Sequence, residues 1–166
     1  MSWFITGIKN LVRIRPEPFD TGWLTVPLVT GAAYATGEAV GGQPFSTGAI
    51  PKKGTINTIM VMDEDKEELA CDLAIFDRLI TATADQAAFD VKPEDMLSQV
   101  GSILITNADY VTYANSSYAT VPNVGYQYTA PEGLLLIQWV TRGVPNFATG
   151  KLLVVRFLGY SGHGGK

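Results

Sequence analysis

From residue 21 onward the apolar residues fall in short β-branched or aromatic runs, separated by glycine, proline and acidic turn signals. That pattern predicts strands rather than helices. Gly22–Thr30 reads as a strand that Pro27 confines to an edge or a bulge, because proline cannot donate to a ladder. Gly31–Gly48 sets Tyr34, Val40 and Phe45 among glycines, as in a strand with tight turns and close backbone approach. Thr55–Met62 is predicted as a strand, Asp63-Glu-Asp-Lys-Glu-Glu68 as a solvated turn and Leu69–Phe76 as the returning strand of a hairpin. On that return Leu69, Cys71, Leu73 and Ile75 share one face, and Asp72, Ala74 and Phe76 share the other.

Thr81–Phe89 is small and polar, a loop or a weak helix. Lys92-Pro93-Glu94-Asp95-Met96-Leu97 predicts one short helix, with proline at its first position and acids that complement the helix dipole. Val100–Thr106, Gly133–Arg142 and Lys151–Tyr160 follow as strands, while Asp109–Val121 alternates tyrosines with small residues and Gly125–Thr129 adds Tyr126 and Tyr128. The result is an all-β chain of about eight to ten strands, an antiparallel β-sandwich or jelly-roll-like domain over residues 21–166. No βαβ alternation or internal repeat is present.

Two late segments depart from simple alternation. Leu134-Leu-Leu-Ile-Gln-Trp-Val140 and Leu152-Leu-Val-Val-Arg-Phe-Leu158 are apolar on both faces, whereas a sheet with one face in water alternates. Each is therefore expected to be covered on both sides, by other elements of the chain or by another chain. Only 17% of residues are charged, which favours the second reading.

Residues 1–20 differ again. Trp3, Phe4, Ile5, Ile8, Leu11, Val12 and Ile14 are interspersed with Lys9, Arg13 and Arg15, and Arg15-Pro-Glu-Pro18 interrupts regular structure. The spacing fits a short helix face, and Leu11–Arg15 also alternates like a strand; both readings stay open. The segment reads as an N-terminal arm, with Trp3, Phe4, Ile5 and Ile8 as its anchors on a protein surface.

A chain of 166 residues buries about two-thirds of its unfolded surface and needs neither metal nor disulfide to hold a core. The net charge is −4 and the basic residues are scattered, so a nucleic-acid-binding face is not expected. One cysteine, Cys71, excludes a disulfide framework and a Cys-rich zinc site, and one histidine, His163, excludes catalysis or metal binding by a histidine pair. No apolar run approaches the ~20 residues that span a bilayer, and the first residues do not read as a secretory signal. No membrane partner and no cofactor are expected.

Individual motifs yield little chemistry. Counted from Asp63, the positions where an EF-hand needs glycine and an acid are Glu68 and Ala74, so the acidic run is not a calcium loop. Asp72, Asp77, Asp85 and Asp90 suit turns and caps better than a catalytic pair. Ser161-Gly-His163 lies in a glycine-rich terminus without the elbow that a nucleophilic serine requires. The glycines of Thr30–Gly42 match neither a Walker loop nor a dinucleotide fingerprint. Asn115-Ser-Ser117 has the form of a glycosylation sequon. Tyr110, Tyr113, Tyr118, Tyr126 and Tyr128, with Trp139, divide among core, a protein interface and a sugar-stacking platform. Tyr113, Tyr118 and Tyr126 are the residues taken for a surface patch.

Several of these segments, in order, resemble the β-sandwich decoration (cement) proteins of tailed-bacteriophage capsids. They are Tyr34-Ala-Thr-Gly-Glu-Ala-Val-Gly41 with Gly42, the strand Thr55–Met62, and Leu73-Ala-Ile-Phe-Asp77. Asp85-Gln-Ala-Ala-Phe-Asp90, Pro93-Glu-Asp95 and Gln138-Trp-Val-Thr-Arg-Gly143 complete the set, which runs through residues 34–143. The resemblance implies a virion protein on the outer capsid surface, made in the host bacterial cytoplasm, that contacts several major capsid subunits. It carries no catalytic motif and does not cover the arm. A structural, non-enzymatic role is thus expected, with self-association, as a trimer, a further expectation from the two-faced strands. A carbohydrate- or receptor-binding module of a phage fibre or tail is the alternative.

Overall fold

The computed structural model describes residues 16–28 and 32–162, and in it the short apolar runs form two antiparallel sheets. The larger sheet has the order β1 (Pro18–Asp20), β11 (Leu153–Ser161), β4 (Lys53–Asp63), β8 (Ser117–Val121), β7 (Tyr110–Thr112). β2 (Leu24–Thr25) also pairs with β11, and β9 (Tyr126–Thr129) pairs with the first half of β4. The smaller sheet has the order β3 (Ala39–Ser46), β10 (Leu136–Thr141), β5 (Cys71–Phe76), β6 (Gln99–Ile105). The one α-helix among the described residues, α1 (Pro93–Met96), begins on its proline with Glu94 and Asp95 in the first turn. This is the all-β sandwich-like architecture that the alternation predicts.

The alternation also explains the core. Ile56, Ile59 and Val61 of β4 and Leu153, Val155 and Phe157 of β11 face Leu73 and Ile75 of β5 and Ile137 and Trp139 of β10, all at 1% exposure or less. β1 lies inside the stretch read as an arm: Pro18–Asp20 pair with Leu158–Tyr160. Among the described residues of the strand read over Gly22–Thr30, only Leu24–Thr25 forms, at an edge ahead of Pro27.

Two expectations are corrected. β4 and β5 do not form a hairpin but belong to different sheets. Both edges of β4 are occupied, by β11 on one side and by β8 and β9 on the other, so the chain must cross the sandwich after Asp63. Nor is the turn simply solvated. Asp63 is fully buried; its Oδ1 accepts the backbone N–H of Asp65 (2.8 Å) and Lys66 (3.1 Å), and its Oδ2 accepts that of Glu68 (2.9 Å).

The second correction concerns β10. Its outer face is covered by elements of this chain: Ala74, Phe76 and Leu136 pack with Ile80, Phe89, Val91 and Leu134. The covering segment is tied down where Asp77 N–H donates to Ser98 and Thr81 N–H donates to Asp95 Oδ2 (2.9 Å).

Candidate interaction surface

With the inner positions of the larger sheet assigned to the core, the alternate positions of its strands form the outer face. Register places Met60 opposite Arg156 and Thr120, and Met62 opposite Val154 and Tyr118. Val111 of β7 is opposite Tyr118, and Thr25 of β2 is opposite Val154. Trp23, just before β2, packs edge-on against Tyr118 with ring centroids 6.1 Å apart. The guanidinium of Arg156 lies 5.9 Å from the Trp23 ring centroid, within the range of a cation–π contact. Trp23 is 43% and Val111 56% exposed, Met60, Met62 and Tyr118 are half-buried, and Thr25 and Thr120 stand exposed among them.

The charge paired on this surface is Arg156 with Asp20. Arg156 Nε donates to Asp20 Oδ1 (2.8 Å) and its Nη2 donates to Oδ2, a two-point geometry that fixes both side chains. These bonds, together with the N–H of Gly22, hold the Asp20 carboxyl down at about 2. The ordinary value is 3.8, so the folded state releases this proton more readily than the unfolded chain. The stabilisation is therefore full above pH 3.8 and is lost as the pH falls towards 2. Trp23 fluorescence is expected to report that loss in the same interval, and the change should be absent in Asp20→Asn.

The candidate residues separate clearly. Trp3, Phe4, Ile5 and Ile8 lie outside the described residues. Tyr118 is in the outer-face surface, and Tyr113, 60% exposed, projects from the turn between β7 and β8. Tyr126 does not join them. It faces inward opposite Ile56, and its hydroxyl donates to the carbonyl of Val100 on β6, linking the two sheets. Tyr110 is likewise internal, donating to Leu69 O (3.2 Å), and Tyr34 and Tyr128 are buried. Trp23, Met60, Met62 and Arg156 were missed by sequence reading. The alternation of positions 60 and 62 on β4 with the core positions was the available signal.

The segments that carry the resemblance have a structural role. Asp85 Oδ1 accepts the Tyr34 hydroxyl (2.8 Å) and the Gly41 N–H (2.5 Å). Ala39 N–H donates to Ala87, Gln86 N–H to Ala39 and Phe89 N–H to Gly37, while Glu38 bridges to Ala88. Residues 85–89 therefore clasp the outer edge of β3. Arg142 pairs with Asp72 across the smaller sheet, with Nε–Oδ2 at 2.6 Å. No three His, Cys, Asp or Glu side chains gather to hold a metal ion among the described residues, and none of their helices is long and apolar enough to cross a membrane. Burial pushes the Cys71 thiol well up, which keeps it neutral and unreactive.

In comparisons with known proteins, no family model, no curated protein and no solved structure matches the chain.

Proposed function

We propose that the chain is a structural protein of a tailed-bacteriophage virion, a decoration protein that binds the outside of the capsid shell and bridges major capsid subunits. The observation that carries this reading is the outer face of the larger sheet, where Trp23, Tyr118, Met60, Met62 and Val111 share one face with the two-point ion pair of Arg156 and Asp20. Interface cores are enriched in aromatic residues, methionine and arginine, and depleted in other charged residues. The ordered resemblance over residues 34–143 supplies the class of partner. The arm, with Trp3, Phe4, Ile5 and Ile8, supplies a second contact, so that a shell opening between two subunits must break both. Once one contact is made, the other forms at high effective concentration. Self-association rests on the β11 side of the same face, since β10 is covered by its own chain. Catalysis has no part in the reading.

Purified protein is expected to add to preassembled empty capsids in stoichiometric amounts and to raise their melting temperature. Trp23→Ala should weaken that binding by about 1–3 kcal/mol, as for a buried aromatic anchor. Tyr118→Ala should act in the same direction, and removal of residues 2–15 should weaken binding independently. Shell binding that is indifferent to Trp23→Ala would refute the face as the contact, and indifference to the deletion would refute the arm.

A further inference from the structure

An open groove of about 790 Å³ lies at the other end of the larger sheet, lined in part by Thr55, Gln127, Tyr128, Thr129 and Tyr160. Register sets Gln127 opposite Thr55 and Thr55 opposite Tyr160, so the three side chains form one row across β9, β4 and β11. Neighbouring strands are about 4.8 Å apart, and the row therefore spans about 10 Å. Tyr160 is 49% exposed and offers a ring; Thr55 and Thr129 offer hydroxyls, and Gln127 an amide. Among the described residues the lining contains no carboxylate. Beneath the row, the Tyr128 hydroxyl is buried against Gly54 and has no hydrogen-bond partner among the described residues.

We infer that this groove binds a neutral saccharide of two or three rings. A pyranose presents an apolar C–H face and a rim of hydroxyls. The Tyr160 ring suits the first, and the neutral donors and acceptors of Thr55, Gln127 and Thr129 suit the second. Among the described residues a charged ligand would meet only Lys53 here, and an apolar one would strip water from the hydroxyls and the amide without replacing their hydrogen bonds. The inference is separate from shell binding, which uses the surface around Trp23.

The test uses the full chain, free of shells, with maltotriose, cellobiose, N,N′-diacetylchitobiose and galactobiose as probes, read by saturation-transfer NMR and calorimetric titration. At least one probe is expected to show saturation transfer and a binding isotherm. Tyr160→Ala should weaken that affinity roughly tenfold or more, while Tyr160→Phe keeps the ring and most of the binding. Tyr160 is half exposed, so an unchanged melting temperature will show that the alanine variant is folded. No transfer from any probe, or binding that Tyr160→Ala leaves intact, overturns the inference and leaves the shell-binding proposal untouched.

Discussion

Asp63→Ala is expected to destabilise the domain by about 2–4 kcal/mol at neutral pH, seen as a lower urea midpoint and a Tm lower by roughly 5–15 °C. Three backbone N–H groups of the crossing turn end on this one carboxylate. The bonds hold Lys66 and Glu68 at φ of 60° and 49°, conformations that residues with side chains rarely adopt. With the carboxylate gone, the donors lose their partner and the turn loses the reason for its shape. Asp63→Asn keeps one acceptor oxygen and should lose less. The two variants also differ in pH dependence. Burial pushes the Asp63 carboxyl above its ordinary 3.8, against the pull of the N–H bonds, so the folded chain holds that proton more tightly than the unfolded chain. This contribution to stability is full below pH 3.8 and is lost as the pH rises through the folded-state value. Relative to Asp63→Asn, which does not titrate there, the natural chain should therefore lose stability across that window. Equal stability of Asp63→Ala and the natural chain would show that the turn holds itself.

The same residue marks the limit of what the sequence conveys. β4, β5, β6, β10 and β11 were legible because each carries an apolar alternation or run of its own, and α1 because Pro93 and the following acids define a helix start. Which strands pair was not legible at the crossing. An acidic stretch between two apolar strands has the pattern of an exposed hairpin turn, and only the tertiary structure reveals that Asp63 faces inward with three donors on it. The cover over β10 was hidden for another reason. Ile80, Phe89 and Val91 are scattered through a polar stretch, with no period to indicate that they share a face.

The surface around Trp23 shows the opposite failure. On β4, Met60 and Met62 alternate with the inward-facing Ile59, Val61 and Asp63, and in an apolar strand both sets read as core. The sequence thus announced excess apolar area, yet could not locate it. β10 spends that excess under residues 80–91, whereas Met60 and Met62 of β4 and Tyr118 of β8 stay half-buried on the outer face. Tyr126 was misplaced because tyrosine suits a rim as well as a core; its hydroxyl reaches the Val100 carbonyl, a contact between sheets that spacing along the chain cannot reveal. Tyr118 lies half-buried on the outer face beside Trp23, whose ring the guanidinium of Arg156 approaches, neighbours that the spacing of tyrosines along the chain does not reveal.

Gly41→Ala is expected to destabilise the domain by about 3–5 kcal/mol, enough to leave a large unfolded fraction in a domain of ordinary stability. Gly41 has φ of +77°, which disfavours any L side chain by about 1–2 kcal/mol. A Cβ there would also stand 2.1 Å from the carbonyl oxygen of Pro27, a backbone atom that cannot swing aside. Gly37→Ala separates the two effects. Its φ is +88°, but a Cβ would meet nothing within 4 Å, so only the conformational part should be lost. Asp85→Ala removes the acceptor of the Gly41 N–H and of the Tyr34 hydroxyl and should lower stability by about 1–3 kcal/mol. Combined with Gly41→Ala it should be less than additive, because the displaced β3 edge has already given up the clasp. Urea denaturation of the four variants decides the matter. If Gly41→Ala and Gly37→Ala prove equal, close approach to Pro27 is not what demands glycine at position 41, and the clasp would have to be held by Asp85 alone.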